Sequence, residues 1–192
     1  MYKFFAFLNR MKYIRRWSLM RSVRDENIME HSQQVAVLAH ALALINNKIF
    51  GGSVNATYAV LLAQYHEVGE VITGDLPTPI KYFNPEINVA YKNLEEKACE
   101  RILGMLPMEL KEEYQKFILP SSETEEVKLV KCADRLAAYL KCVEELKAGN
   151  SEFKKAKQTI YKDLCDRKSK EVDYFLKHFA PAYELTLDDL ED

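Results

Sequence analysis

Apolar positions recur at helical spacing along most of the chain, and no segment shows the alternation of a half-buried strand. Asn27, followed three residues later by Glu30, resembles a capping box. The helix it opens carries an inward stripe at His31, Val35, Leu38, Leu42 and Ile45. "FGGSVNA" reads as a loop, with Asn55 as cap of a second helix running through "TYAVLLAQYHEVGEVIT" to a stop near Gly74. "DLPTPIKYFNP" holds three prolines and reads as a loop of restricted shape. A helix from about Glu86 to Leu106 follows, then a shorter one after Pro107. Ser122 and Glu125 suggest a further capping box, opening a long helix that Gly149 and Asn150 end. Two more helices are expected over 151–168 and 170–180, and the acidic tail, about 185–192, is expected to be loosely ordered. The pattern predicts an all-α fold, and the length of 192 residues predicts one domain with a real core.

Charge narrows the partners. Lys plus Arg number 27 and Asp plus Glu 29, which argues against a basic face for a nucleic-acid polymer. No run approaches the roughly 18 apolar residues of a membrane span. "MYKFFAFLNRMKYIRRW" lacks the continuous apolar region and cleavage site of a signal peptide, so the expected location is the cytoplasm. Cys99, Cys132, Cys142 and Cys165 form no C-x-x-C pair and lie in helical patterns, so buried reduced thiols are expected rather than a zinc knuckle.

Chemistry enters with His66, Glu67 and Glu70. They interrupt a segment, Ala59 to Ile72, that is apolar on nearly every side and therefore reads as buried. A buried carboxylate is costly unless paired or bound to a metal. On a continuous helix His66 and Glu70 are i and i+4, and Glu67 and Glu70 are i and i+3, so each pair shares a surface. His66 and Glu67 diverge by about 100° and reach one ion only if it lies between their directions. A bland alternative stands beside this: a hydrogen-bonded core histidine, and glutamates paired with Arg or Lys. Two further positions weigh against it. His31 lies on the inward stripe, and Asp134 sits between Val130 and Ala137 in the long late helix. His31, His66, Glu67 and Asp134 together offer two imidazoles and two carboxylates from three helices, a donor set suited to Mn, Fe, Co, Ni or Zn with open positions. His40 and His178 read as structural.

The order His, His-acid, Asp on helices resembles the HD-domain phosphohydrolases. "RRWSLMRSVRDENIMEHS", "HEVGEVITGDLPTPIKYFN" and "ADRLAAYLKCVEELKAGN" are similar, more specifically, to the bacterial HD-domain 5′-deoxynucleotidases of the YfbR-like type, and the likeness extends to "VDYFLKHFAPAYELTLDDL". The resemblance implies a helical bundle over 1–192 with a metal site between helices. It implies hydrolysis of deoxyribonucleoside 5′-monophosphates, one divalent transition metal (Co, Mn, Zn or Fe) and a homodimer. The metal ligands carry over to His31, His66, Glu67 and Asp134, and the catalytic residues to Glu70 and Arg16. Substrate contacts carry over to Arg16, Trp17, His31 and the loop Asp75, Leu76, Pro77 and Thr78. By the same resemblance Arg16 matches the family's phosphate-orienting arginine, and Trp17, the one tryptophan of the chain, its sugar contact.

One position departs from the family pattern. Glu67 stands where the family has aspartate, adding a methylene that moves the carboxylate by roughly 1.5 Å. A displacement of about 1 Å is enough to affect catalysis. The alternative is therefore a catalytically impaired nucleotide-binding protein of the same fold. A zinc peptidase is a weaker rival, since "HEVGE" has Glu70 where H-E-x-x-H needs its second histidine. A helical interaction scaffold without a ligand is the blandest.

Overall fold

Asn27 starts the first long helix by accepting hydrogen bonds from the Met29 and Glu30 amides, both at 3.0 Å. Only half of the expected capping box forms, because the Glu30 carboxylate turns towards Arg24 instead, at 3.9 Å. The structure, a computed structural model, describes residues 1–81, 83–120 and 123–191. Ahead of that helix lie a short one, α1 (Phe4–Leu8), and a 3₁₀ turn over Asn9–Tyr13. Then come α2 (Ile28–Ile49), α3 (Ala56–Tyr65), α4 (Glu70–Thr73), α5 (Thr78–Lys81), α6 (Pro85–Leu103) and α7 (Met108–Ile118). The chain closes with α8 (Glu125–Lys147), α9 (Lys154–Asp166), α10 (Lys170–His178) and α11 (Leu187–Glu191). Among the described residues there is no strand, only one antiparallel bridge between Arg15 and Asn27.

Several expectations meet corrections. The helix expected to run unbroken to Gly74 ends at Tyr65; residues 66–69 form a tightened turn before α4. The amides of Val68, Glu70, Val71 and Ile72 each donate to the carbonyl three residues back, the 3₁₀ pattern, rather than four. Packing is the reason. Val68 is fully buried, and a Cβ on Gly69 would lie 3.0 Å from Cys99 Sγ, so the turn sits tight against α6. Gly74, at φ +74°, stops α4 as expected. The Ser122–Glu125 cap falls outside the described residues at Ser122; the residue that caps α8 is Thr124. Cys99, Cys132 and Cys142 are buried, but Cys165 is exposed because α9 turns it outward. In the tail Thr186 and Asp189 cap one another and start α11 where loose order was expected. His40 and His178 are both exposed, away from the polar cluster described below.

Two apolar clusters hold the molecule together. The larger joins α2, α3, α8, α9 and α10 through residues such as Val35, Leu42, Leu136, Leu140 and Leu164, all at 0% exposure. The smaller gathers Phe4, Met11, Ile28, Val68, Cys99, Ile102 and Leu103 around α6 and α7. Each fully buried Leu, Ile or Phe contributes about 1.5–3 kcal/mol. The boundary between the clusters falls on the polar residues. Along α2, Ile28 belongs to the smaller cluster and Val35 to the larger, with His31 between them. Ala63 and Val68 bracket His66 in the same way.

The segment linking the 3₁₀ turn to α2 is pinned from outside. Glu145 on α8 accepts from the Val23 and Arg24 amides at 2.8 and 3.2 Å, from Lys141 Nζ at 2.6 Å and from Asn150 at 2.8 Å. Burial raises a carboxyl pKa, but Lys141, the Val23 amide, Asn150 and the Arg24 amide outweigh it and hold Glu145 down at about 2. A carboxyl depressed on folding stabilises the fold above its ordinary value of 4.5 and loses that contribution as pH falls towards about 2. Glu145→Ala is expected to lower stability by about 3–5 kcal/mol at neutral pH, since it strands a buried ammonium. Urea unfolding of both proteins from pH 7 to pH 2 checks this, with the two curves expected to converge towards the acid end. A constant gap across that range would remove Glu145 as the source.

Candidate active site

The four predicted metal donors come together from three parts of the chain. One donor atom each from His31, His66, Glu67 and Asp134 lies within 4.8 Å of all the others. Donors sharing an ion at about 2.1 Å sit roughly 3–4 Å apart, so the spacing suits a common ion with small adjustment. His31 lies in the first turn of α2, His66 and Glu67 in the 66–69 turn, and Asp134 near the middle of α8, its carboxylate meeting His31 on α2. The turn matters. It swings Glu67 towards His66, so that Glu67 Oε1 stands 3.3 Å from His66 Nε2.

Ring orientation fits a metal as well. His66 Nδ1 donates to the Ala63 carbonyl at 2.6 Å, which leaves Nε2 as the free nitrogen. That Nε2 is buried and makes no hydrogen bond. A backbone carbonyl fixing one imidazole nitrogen while the other points at a carboxylate cluster is the usual outer-shell arrangement of a metal-binding histidine. His31 Nε2 meets Asp134 Oδ1 at 2.9 Å, and the His31 and His66 rings lie 5.5 Å apart. The residues present therefore fit a divalent transition metal.

The charges are strongly interdependent. Burial works against ionising Asp134, but the His31 hydrogen bond and the charges of His31, His66 and Arg16 hold its pKa far below the usual range. Glu67 is likewise held well down, burial being outweighed by His66, then Arg16 and His31. Burial opposes the charge on His66, yet Glu67 raises its pKa. Burial also opposes the Arg16 charge, and Glu67, Asp134, Glu26 and Asp75 overcome it and keep the guanidinium protonated. Glu70 goes the other way. Burial, then Glu67 and Asp75, push its pKa up to about 11. Its Oε2 is buried without a partner, and its side chain is not in the four-donor set.

Arg16 and Trp17 reach the cluster through the Arg15–Asn27 bridge, in which the Arg16 amide donates to the Glu26 carbonyl at 2.9 Å and the Ile28 amide to the Ile14 carbonyl at 3.0 Å. Arg16 Nη1 stands 3.5 Å from Glu67 Oε1. Trp17 packs on the buried Phe153, ring centroids 5.2 Å apart. Both line a cavity of about 410 Å³. Its walls include the apolar residues Met20, Pro77, Ala156 and Ile160 and the polar residues Asp75, Thr78, Arg135 and Lys155. Leu76 is the one expected loop contact that is not on the cavity wall. Glu26 is a residue that the sequence reading missed. It accepts from both Arg16 and Trp17, but it lies in irregular chain where no periodicity marks it.

Arg16, which lines this mainly apolar cavity and faces Glu67, joins it to the donor cluster, an arrangement able to hold a phosphomonoester by its phosphate and its sugar. Comparison with known proteins agrees with that chemistry. A sequence model of the family described as 5′-deoxynucleotidase YfbR-like matches residues 3–183. A 5′-deoxynucleotidase of Vibrio vulnificus is 55% identical over 188 residues, 97% of each chain. One from Photorhabdus temperata is also 55% identical, covering 97% of this chain and 95% of its own. Among solved structures, an HD-domain phosphohydrolase from Listeria innocua superposes with a TM-score of 0.83 at 21% identity, over 98% of this chain and 92% of the other. The cyanophage S-2L HD phosphohydrolase DatZ, bound to dA and one catalytic Zn²⁺ ion, superposes with a TM-score of 0.66 at 22% identity, over 94% and 96%. No described helix is long and apolar enough to cross a membrane. With the family model matching residues 3–183 and relatives 55% identical over nearly their whole length, this chain belongs to the YfbR-like 5′-deoxynucleotidase family.

Proposed function

We propose that this chain, acting as one HD-type domain over 1–192, is a metal-dependent 5′-nucleotidase. It hydrolyses deoxyribonucleoside 5′-monophosphates to deoxynucleoside and phosphate. The observation that carries the reading is the contact of the four-donor cluster with Arg16, which lines the same cavity as Trp17. Relatives at 55% identity named 5′-deoxynucleotidases support it. DatZ, with its bound dA and Zn²⁺, supports the pairing of such a fold with a deoxynucleoside and a metal.

His31, His66, Glu67 and Asp134 hold the ion in this reading. When bound, a divalent transition metal (Co, Mn, Zn or Fe) supplies Lewis acidity that lowers the pKa of a water and offsets phosphoryl charge. The chain's own residues do the rest. Arg16 grips phosphate oxygens with the edge of its guanidinium that Glu26 leaves open. Glu70, buried beside the donors, gives a proton to the departing 5′-oxygen or orients the attacking water. Asp75 starts the loop that meets the sugar, with Pro77 and Thr78 on the same wall. The reading includes a homodimer in the cytoplasm; light scattering tests the first and fractionation the second.

Trp17 gives selectivity. A flat apolar face against the sugar leaves a 2′-hydroxyl without a partner, which costs about 1–3 kcal/mol. That is about 5- to 150-fold between deoxy and ribo substrates. Trp17→Ala is expected to bring the ratio of their kcat/KM values towards one. An unchanged ratio would refute the steric account.

The test of the whole reading is phosphate release from matched deoxy- and ribonucleoside 5′-monophosphates. The protein is stripped of metal and reloaded separately with Co, Mn and Zn. Metal-dependent release that favours deoxy substrates is the expected result. Nucleotide binding without release under any metal would instead mark a binding protein disabled at Glu67.

A further inference from the structure

We propose that Glu26 is the positioning residue that aligns Arg16, Trp17 and His31 as one unit, coupling the phosphate grip, the sugar wall and the metal centre. The inference rests on the function proposed above. One carboxylate oxygen, Oε2, accepts from two site residues: Arg16 Nε at 3.1 Å and Trp17 Nε1 at 2.9 Å. The other, Oε1, faces His31 Nδ1 at 3.8 Å, on the side of the ring away from Asp134. That Nδ1 is buried and has no hydrogen-bond partner. At 3.8 Å the contact is not yet a hydrogen bond. A small rotation of the imidazole would bring it into range, the arrangement in which carboxylates hold the second nitrogen of metal-ligating histidines. Glu26 is itself held in place. Its side chain is 11% exposed, and its carbonyl accepts the Arg16 amide at 2.9 Å.

Trp17 shows that such a tether is needed. Its backbone lies in the left-handed region, at φ 58°. A residue with a side chain keeps that conformation only when its surroundings over-determine it. Phe153 packs against the indole at a 58° tilt, and Glu26 fixes the edge through Nε1. The Arg16 Nε bond likewise occupies the inner edge of the guanidinium, leaving Nη2, and Nη1 beside Glu67, to meet phosphate.

Because Trp17 is the one tryptophan of the chain, its fluorescence reads the tether directly. The variants are Glu26→Gln and Glu26→Asp in the full chain. Leu42→Ala, in the larger core cluster, serves as a destabilised control. In metal-free Glu26→Gln, Trp17 emission is expected to shift to the red with greater acrylamide quenching. Affinity for Co or Zn, read by chelator competition, is expected to fall about 10- to 100-fold. The deoxy-to-ribo ratio is expected to move towards one. Glu26→Asp keeps both oxygens and is expected to fall between wild type and Glu26→Gln. Leu42→Ala is expected to lower Tm without moving emission or ratio. Wild-type emission and metal affinity in folded Glu26→Gln would overturn the proposal, as would equal changes in Leu42→Ala. If Glu26→Gln does not fold, the same readouts on Glu26→Asp decide. If the wild type releases no phosphate, the nucleotidase reading fails, and emission and metal affinity still judge Glu26 on their own.

Discussion

Glu70→Gln is expected to lower kcat about 100- to 10,000-fold, the range typical of losing a positioned acid or base, while metal and fold are retained. Glu70 is 5% exposed and begins α4 next to Glu67, yet it stands outside the four-donor set. Its Oε2 meets no protein partner, so it is free for a water or a departing oxygen. Glutamine has the same shape and keeps one acceptor oxygen, but it cannot cycle a proton. Burial, Glu67 and Asp75 already favour the neutral carboxyl, so glutamine adds no uncompensated charge to the site and Tm is expected to hold. The measurement is steady-state turnover of a deoxynucleoside 5′-monophosphate, with metal content and nucleotide affinity determined on the same sample. Full turnover in metal-loaded Glu70→Gln would remove Glu70 from the chemistry. Lost turnover with lost metal would make it part of the metal-binding set instead.

His66→Ala is expected to abolish stoichiometric metal binding, weakening affinity by more than the ~10- to 100-fold typical of outer-shell changes. The imidazole is already set for the task, with Nδ1 committed to the Ala63 carbonyl at 2.6 Å and Nε2 facing Glu67 without a hydrogen bond. Alanine removes a donor and leaves Glu67 facing Arg16 alone, 3.5 Å away. Turnover is expected to fall to background for every metal. Chelator competition and metal analysis after desalting check the first point, and phosphate release the second. Wild-type affinity in His66→Ala would return His66 to the role of a hydrogen-bonded core histidine. Glu67→Asp is an informative companion, because it puts the family's residue at the departing position. Metal retention is expected there, since the shorter side chain keeps both ligand oxygens.

The long helices were legible because their apolar stripes repeat over five or more turns. Thus α2, α6 and α8 lie within a few residues of where their periodicity and caps put them. The donor set was legible too, because a charged or imidazole side chain on an inward stripe stands out against Ala, Val and Leu. The break at His66 was not. Local spacing continues through it, and only the packing of Val68 and Gly69 against α6 turns the chain. The exposed side of Cys165 escaped for a similar reason, since α9 has one strongly apolar face and which face meets α8 is a matter of docking.

By itself the sequence determined the helical class, the residues able to bind a metal, and the family pattern they follow. These depend on composition and on side-chain spacing within single segments, where the backbone geometry is known in advance. Only the tertiary structure decided that His31, His66, Glu67 and Asp134 converge, and that Glu67 reaches its place despite the longer side chain. It also decided that Glu26 joins Arg16 to Trp17 and faces His31. His31 and Asp134 are 103 residues apart, and Arg16 and Glu67 are 51 apart. Their meeting is set by how two apolar clusters close around a polar seam, a property of the packed chain that no local pattern records.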